Sequence, residues 1–189
     1  RSGMRFDKDG NEHYDLLSAF QKSIRGSDEN AAIFYLARLL EGGDLLSPCR
    51  RLLVIASEDI GLAYPQAAAI TNACVESALG LPEAAIPLSE AVVMLATAPK
   101  SNSAYMAYAN AKADIDAGRG ANVPTHLRDK TTPSDSVKAA KYIYPHGHPN
   151  NYVKQQYLPD DLTDRRYYTY GDNKQEKAAE EYWRRIKDK

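Results

Sequence analysis

The sequence predicts an all-α protein. Three observations support this prediction: apolar residues recur at three- and four-residue spacing, helix start and stop residues recur between about residues 12 and 118, and the apolar faces are rich in alanine. Small residues allow helix axes to approach closely, and loops of roughly two to eight residues favour antiparallel neighbours. We therefore predict a compact bundle of about six antiparallel helices, followed by an extended Pro/Tyr-rich wrap and a C-terminal helix.

The first three helices are predicted from their terminal residues. Helix one covers about residues 12–25 and ends at Gly26, a typical C′ residue. Ser27, Asp28 and Glu29 supply an N-cap and first-turn acids for helix two. Helix three begins with Ser47 as N-cap, followed by proline at N1, and ends at Gly61.

The next three helices follow the same pattern. Helix four begins at Pro65, and helix five covers about residues 87–97. Ser101 or Asn102 caps helix six, which ends at Gly118. The predicted stripes of the six helices are, in order, Leu17, Phe20, Ile24; Ala32, Tyr35, Leu36, Leu39, Leu40; Leu52, Ile55, Ala56, Ile60; Ile70, Ala73, Cys74, Ala78; Leu88, Ala91, Val92, Leu95; and Ala104, Ala107, Tyr108, Ala111, Ile115.

The character of the chain changes after Gly120. Residues 121–172 have little periodicity and several prolines, and eight of the 13 tyrosines lie between Tyr142 and Tyr182. We favour an ordered wrap, with tyrosines packed on the helical body and their hydroxyls in water, over a disordered tail. Residues 175–187 predict one more helix. The predicted division is residues 1–11, then a helical core over 12–120, then the wrap and last helix over 121–189, packed on the core.

Composition excludes several classes of function. The net charge of −1 creates no overall field that favours nucleic acid or membrane. No apolar run reaches roughly 18 residues, so no membrane contact is expected. Two cysteines, Cys49 and Cys74, are too few for a disulfide framework, and we interpret both as reduced thiols of a cytoplasmic protein.

No motif predicts catalysis in this chain. Phosphate loop, nucleophile elbow and paired-cysteine motifs are missing from the sequence. His146 and His148 can supply two metal ligands, but zinc needs three or four, so a metal-dependent hydrolase is the weakest hypothesis. Glu58 and Asp59 are adjacent on a helix and point about 100° apart, which favours an ion-pair network over acid–base catalysis. We predict no catalytic, cofactor-binding or metal-binding residue.

Charged residues on several helices are candidates for a polar network or a partner contact. Six cations, Arg50 among them, form a basic patch if they converge, although each is ion-paired or solvated by default. The basic end of the last helix, after Trp183, is a further candidate contact. The nine residues that we predict for the network are Lys22, Arg25, Asp28, Arg38, Arg51, Glu58, Asp59, Lys100 and Asn102.

Several blocks together resemble one known family. They are HYDLLSAFQKSIRGSD at 13–28, YLAR at 35–38, RRL at 50–52, ASEDIGLA at 56–63, LA at 95–96, APKSN at 98–102, PTHLR at 124–128, YPH at 144–146 and QQYLP at 155–159. In this order they resemble the C-terminal part of the RarA/MgsA family, replication-associated recombination AAA+ ATPases related to the Werner-helicase-interacting protein. Residues 130–140 depart from the family pattern, which leaves the path of residues 129–151 open.

The resemblance implies more than the residues do. It implies that residues 1–11 lead out of an AAA+ lid, and that ATP and Mg belong to an ATPase core outside this chain. It implies a homotetramer formed through the helical domain. It also implies contact of the intact protein with DNA and single-stranded-DNA-binding protein at replication forks, in the nucleoid of a bacterium.

Two function hypotheses follow. The first is a non-enzymatic oligomerisation and partner-docking domain. The second is a module that holds single-stranded DNA through cations and the C-terminal tyrosines.

Overall fold

The computed structural model describes residues 10–129 and 141–188. These residues form seven α-helices and no strand, so the predicted all-α class is confirmed. The helices are α1 (Asn11–Arg25), α2 (Glu29–Glu41), α3 (Leu46–Ile55), α4 (Ala67–Ser77), α5 (Ala85–Thr97), α6 (Ser103–Asp116) and α7 (Lys174–Lys187). No helix among the described residues is both long and apolar enough to span a lipid bilayer.

The chain divides into two units. Of the described residues, unit 1 comprises 10–105 and 171–177, and unit 2 comprises 106–129, 141–170 and 178–188. Both α6 and α7 continue across this division. The sequence-based boundaries at residues 11 and 120 stay a prediction. Residues 1–9 and 130–140, which include the predicted lid exit and the departure from the family pattern, lie outside the described residues.

Helices α1 to α5 enclose the core of unit 1. Helix α1 packs against α2, α3 and α5, while α5 also packs against α2 and α4. The side chains at the centre of this core are fully buried and come mainly from the predicted stripes: Phe20, Ile24, Leu39, Leu52, Ile55, Leu88, Val92 and Leu95. Burying each such side chain contributes about 1.5–3 kcal/mol, which makes this core the main source of stability in unit 1.

The start of α3 differs from the prediction. Ser47 lies inside the helix, and Asp44 takes the expected capping role because its Oδ1 accepts the Ser47 N–H at 3.1 Å. The other carboxylate oxygen lies 2.5 Å from His13 Nε2 on α1. Burial acts to raise the pKa of Asp44, but hydrogen bonds from Ser47 and His13 outweigh it and hold the pKa below its usual value.

The end of the third predicted helix also differs. Regular α-helix ends at Ile55, and one wider π-helical turn follows over Ala56–Ile60. This turn buries Asp59 together with two apolar neighbours. Gly61 then ends it with φ +46°, and a Cβ there would lie 3.3 Å from the Ser101 carbonyl oxygen. A wide turn of this kind is rare and often lies at a functional site.

Unit 2 contains little regular structure besides parts of α6 and α7. Its described connections contain short 3₁₀ turns at Thr125–Leu127, Pro145–Gly147, Pro149–Asn151 and Asp160–Leu162. Gly120 donates its N–H to Asp161 Oδ2 at 3.0 Å. A side chain at Gly120 would meet Leu162 Cδ1 at 2.8 Å, and its φ of +73° also favours glycine.

Candidate functional site

A polar cluster in unit 1 lies where α1, α3 and the π-helical turn meet. We define it as Gln21, Arg25, Arg51, Glu58 and Asp59. Arg25 Nε donates to Asp59 Oδ1 at 2.7 Å, and Arg25 Nη2 lies 3.7 Å from Glu58 Oε2. The amide of Gln21 donates to both carboxylates, reaching Asp59 Oδ2 at 3.2 Å, and its Oε1 accepts from Arg51 Nη1 at 2.9 Å.

This geometry describes an ion-pair network and not an acid–base pair. Asp59 is only 5% exposed, whereas the Arg25 side chain is about half in water. The hydrogen bond to Asp59 raises the pKa of Arg25, against a smaller opposing effect of burial. Gln21 donates to both carboxylates and Arg25 pairs with both, so each carboxylate belongs to the network.

A second group of polar side chains in unit 1 surrounds one buried carboxylate. We call Ser101, Ser103, Asn173 and Glu176 the latch. Glu176 is 2% exposed and accepts from Ser101 Oγ at 2.6 Å, Ser103 Oγ at 2.5 Å and Asn173 Nδ2 at 2.5 Å. The Glu176 N–H donates back to Asn173 Oδ1 at 2.9 Å, which caps the start of α7.

The latch also requires a glycine at position 171. A Cβ at Gly171 would collide with the Glu176 carboxylate and lie 3.0 Å from Ser101 Oγ. Polar cluster and latch are connected through the backbone, since the Ser101 N–H donates to the Asp59 carbonyl oxygen at 2.8 Å.

A cavity of about 500 Å³ in unit 1 is lined by both groups. Lys100 is part of its wall and donates from Nζ to the carbonyl oxygens of Ala96 at 3.0 Å and Ala98 at 2.5 Å. Burial lowers the pKa of Lys100, against a raising effect of Asp59. The lining residues are Arg25, Glu58, Asp59, Lys100, Ser101, Asn102 and Tyr105.

The structure brings six of the nine predicted network residues to the polar cluster or this cavity: Arg25, Arg51, Glu58, Asp59, Lys100 and Asn102. Three lie elsewhere. Arg38 Nη2 donates to Glu12 Oε1 at 2.9 Å, Asp28 caps α2 by accepting the Ala31 N–H at 2.9 Å, and Lys22 is exposed on α1.

Sequence reasoning missed Gln21 and the whole latch. Gln21 lies between Phe20 and Lys22 on α1, and an uncharged polar side chain there gives no sign that it joins a network. Glu176 belongs to a helix rich in Lys, Arg and Glu, where an acidic residue is normally solvated. The Asn-x-x-Glu spacing of Asn173 and Glu176 is a capping pattern at the start of α7, and this pattern could have identified Glu176.

Unit 2 contains an aromatic–basic groove of about 500 Å³. We define it by Arg166, Tyr168, Tyr170, Trp183, Arg184 and Lys187, with Glu180 and Asp188 also in its lining. Tyr168 and Tyr170 pack edge to face at 4.8 Å between ring centroids. Lys187 Nζ lies 5.1 Å from the Trp183 ring centroid, a cation–π contact.

The two histidines of the weakest hypothesis are both exposed on short turns. Among residues 10–129 and 141–188, no three His, Cys, Asp or Glu side chains form a group that could hold a metal ion. Both cysteines are buried free thiols, and burial raises the pKa of each.

The Asp114 carboxylate of unit 2 shifts the pKa of a neighbouring tyrosine. Tyr167 donates its hydroxyl to Asp114 Oδ2 at 2.7 Å, and this hydrogen bond raises the pKa of Tyr167 from 10.0 to about 12. The raised pKa means that this bond stabilises the fold fully below about pH 10 and is lost as the pH rises to about 12.

In a titration followed by phenolate absorbance, we expect the difference between the unmodified chain and Tyr167→Phe to have its midpoint near 12. Asp114→Asn should shift that midpoint toward 10. A difference curve centred near 10 in the unmodified chain would contradict this assignment.

Comparison with known proteins agrees with the sequence blocks. The family model described as MgsA AAA+ ATPase C terminal matches residues 26–187. The chain is 55% identical over 166 residues to Replication-associated recombination protein A of Bacillus subtilis, covering 86% of this chain and 39% of that protein. It is 39% identical over 170 residues to the Escherichia coli K12 protein of the same name, covering 87% and 38%.

A eukaryotic relative is similar over the same region. ATPase WRNIP1 of Dictyostelium discoideum is 36% identical over 176 residues, which cover 90% of this chain and 20% of that protein. The chain thus spans about two fifths of the length of the two bacterial relatives. These matches confirm the resemblance drawn from the sequence blocks, and the chain belongs to the MgsA AAA+ ATPase C-terminal family.

Proposed function

We propose that this chain is a non-enzymatic oligomerisation and partner-docking domain that assembles into a homotetramer. The proposal rests on the exposure of α6, since none of the 14 residues of this helix is buried. Four large apolar or aromatic side chains of this helix are exposed, among them Tyr108 at 71% and Ile115 at 67%. Within the chain, α6 makes polar contacts at Ser103 and Asp114, while its large apolar and aromatic side chains stay exposed, which favours their burial against a partner surface.

The composition of unit 2 supports the same proposal. Leu162 is the one buried apolar residue among its described residues, while nine large apolar or aromatic side chains are exposed. Burying one large apolar side chain stabilises a fold by about 1.5–3 kcal/mol. Fixing the backbone of one residue costs about 1–2 kcal/mol in conformational entropy. Burial by other copies would supply the missing apolar contacts, and closed symmetry would place α6 in a self-complementary contact.

The wider role comes from the relatives. The names of the bacterial relatives lead us to propose that the intact protein acts in replication-associated recombination. Because the family is one of AAA+ ATPases, we propose that an ATPase core outside this chain binds ATP and Mg. We propose that it works in the cytoplasm at the nucleoid, and that DNA and single-stranded-DNA-binding protein are its partners there.

Light scattering over a concentration series tests the assembly. We expect a mass near four times 20.9 kDa, and a shift toward monomer for the Tyr108→Ser/Ile115→Ser variant. Leu46→Ser, which changes a side chain on α3 that is 57% exposed, is the matched control and should keep the tetramer mass. Monomer at every concentration would count against the proposal.

A second function, binding of single-stranded DNA, is favoured by the aromatic–basic groove. Aromatic rings next to cations provide stacking and phosphate contacts. Trp183 is the single tryptophan of the chain, so its fluorescence reports directly on this groove. This function predicts quenching by oligo(dT) that is lost as salt increases. Unchanged fluorescence at low salt would exclude it for this chain.

A further inference from the structure

Charge is distributed unevenly along the chain. Residues 52–99 contain no Lys or Arg, although the whole chain has 24. Two of the five acidic residues in this stretch, Glu58 and Asp59, pair with Arg25. The other three, Glu76, Glu83 and Glu90, are exposed and have no basic side chain within ion-pair distance among the described residues.

Two of these glutamates lie beside large aliphatic side chains. Ile86, Glu90 and Val93 follow one another at i, i+4 and i+7 on the exposed side of α5, opposite the buried Leu88 and Leu95. The turn before α5 adds Leu79, Leu81 and Glu83. Leu79 is 91% exposed and Ile86 is 75% exposed. We call these six residues the acidic face.

We propose that the acidic face binds a basic amphipathic helix of another protein. The i, i+4, i+7 spacing is suited to a row of apolar side chains from a second helix. Glutamates beside that row attract Lys or Arg and repel nucleic acid. This site lies on unit 1, does not involve α6, and goes beyond the tetramer proposal.

A second copy of this chain is a poorer match for the acidic face. The basic end of α7 is the obvious candidate, but Arg184 and Arg185 pair with Glu180 and Glu181 at 3.3 and 2.6 Å. Lys187 lies over the Trp183 ring. These cations are engaged within their own chain, which favours a different protein as the source of the basic helix.

Fluorescence anisotropy with two synthetic helical peptides tests the proposal. One labelled peptide, of about 14 residues, carries Leu on one face and Lys on the other, and its counterpart carries Glu in place of Lys. We expect the Lys peptide to bind the full chain, with an affinity that falls as salt increases. The Glu peptide should not bind.

Two variants locate the binding site. Glu83→Gln/Glu90→Gln should weaken binding of the Lys peptide about tenfold, because two exposed ion pairs are lost. Ile86→Ser should weaken it by a similar factor of about ten. Leu46→Ser should bind as the unmodified chain does, and circular dichroism should show that all three variants stay folded.

Three outcomes of the peptide experiment would overturn the proposal. They are no binding of the Lys peptide, equal binding of both peptides, and equal effects of Ile86→Ser and Leu46→Ser. A separate measurement distinguishes this site from the tetramer interface. Ile86→Ser should leave the light-scattering mass unchanged. A fall toward monomer would also overturn the proposal, because it would mean that a second copy occupies the acidic face.

Discussion

We expect Asp59→Ala to lower the free energy of unfolding by about 2–3 kcal/mol. Asp59 is buried and accepts from Arg25 Nε at 2.7 Å and Gln21 Nε2 at 3.2 Å. Alanine removes the acceptor but leaves both donors in place. Because the Arg25 side chain is 48% exposed, water can solvate it, so the loss should lie below that of a fully buried pair.

Urea denaturation measures this effect, and Glu12→Ala is the matched control. Glu12 pairs with Arg38 at 2.9 Å, but its side chain is 56% exposed, so its loss should cost less than about 1 kcal/mol. Asp59→Asn keeps the side-chain shape and one acceptor oxygen and should recover part of the stability. Equal losses for Asp59→Ala and Glu12→Ala would show that the polar cluster contributes no more than a surface ion pair.

The second large effect should come from Glu176→Ala. This change leaves the Ser101 and Ser103 hydroxyls and the Asn173 amide without their common acceptor. A fully buried donor without an acceptor costs about 1–3 kcal/mol, and this cost is lower here because the three donors are half-buried and the hydroxyls can rotate. We therefore expect a loss of about 3 kcal/mol, with the largest gain in hydrogen exchange over residues 171–177.

Glu181→Ala is the control for the latch because it lies on the same helix. Glu181 forms an exposed ion pair with Arg185 at 2.6 Å, whose loss should cost no more than about 0.5 kcal/mol. Glu176→Gln should fall between the two. If residues 171–177 exchange at the same rate in Glu176→Ala and in the unmodified chain, the carboxylate does not hold this segment in place.

The fold class and most helix positions could be predicted because they depend on local rules. Apolar residues recur at helical spacing within each helix, as they do around Phe20, Leu52 and Leu88. Glycine or proline separates one such stretch from the next. The sequence placed the cap of α2 within residues 27–29, and the structure shows that Asp28 is the capping residue. Capping was predicted wrongly at Ser47, because Asp44 supplies the acceptor there and is itself held by His13, 31 residues away.

The polar cluster was predictable only in part. Arg25, Glu58 and Asp59 were predicted from their charge and from the sequence blocks that contain them. Their contacts depend on the π-helical turn, which no propensity indicates, and on Gln21, whose neutral side chain gave no sign that it joins Arg51 to both carboxylates.

The sequence by itself determined the helical class, the family and the core of unit 1, since apolar periodicity and short local motifs fix these. Only the tertiary structure decided which charged residues meet, that Glu176 is buried against Ser101 and Ser103, and that α6 buries none of its residues. The physical reason is separation along the chain. Contacts between residues more than 70 positions apart, such as Ser101 with Glu176, follow from helix packing and leave no periodic pattern in the sequence.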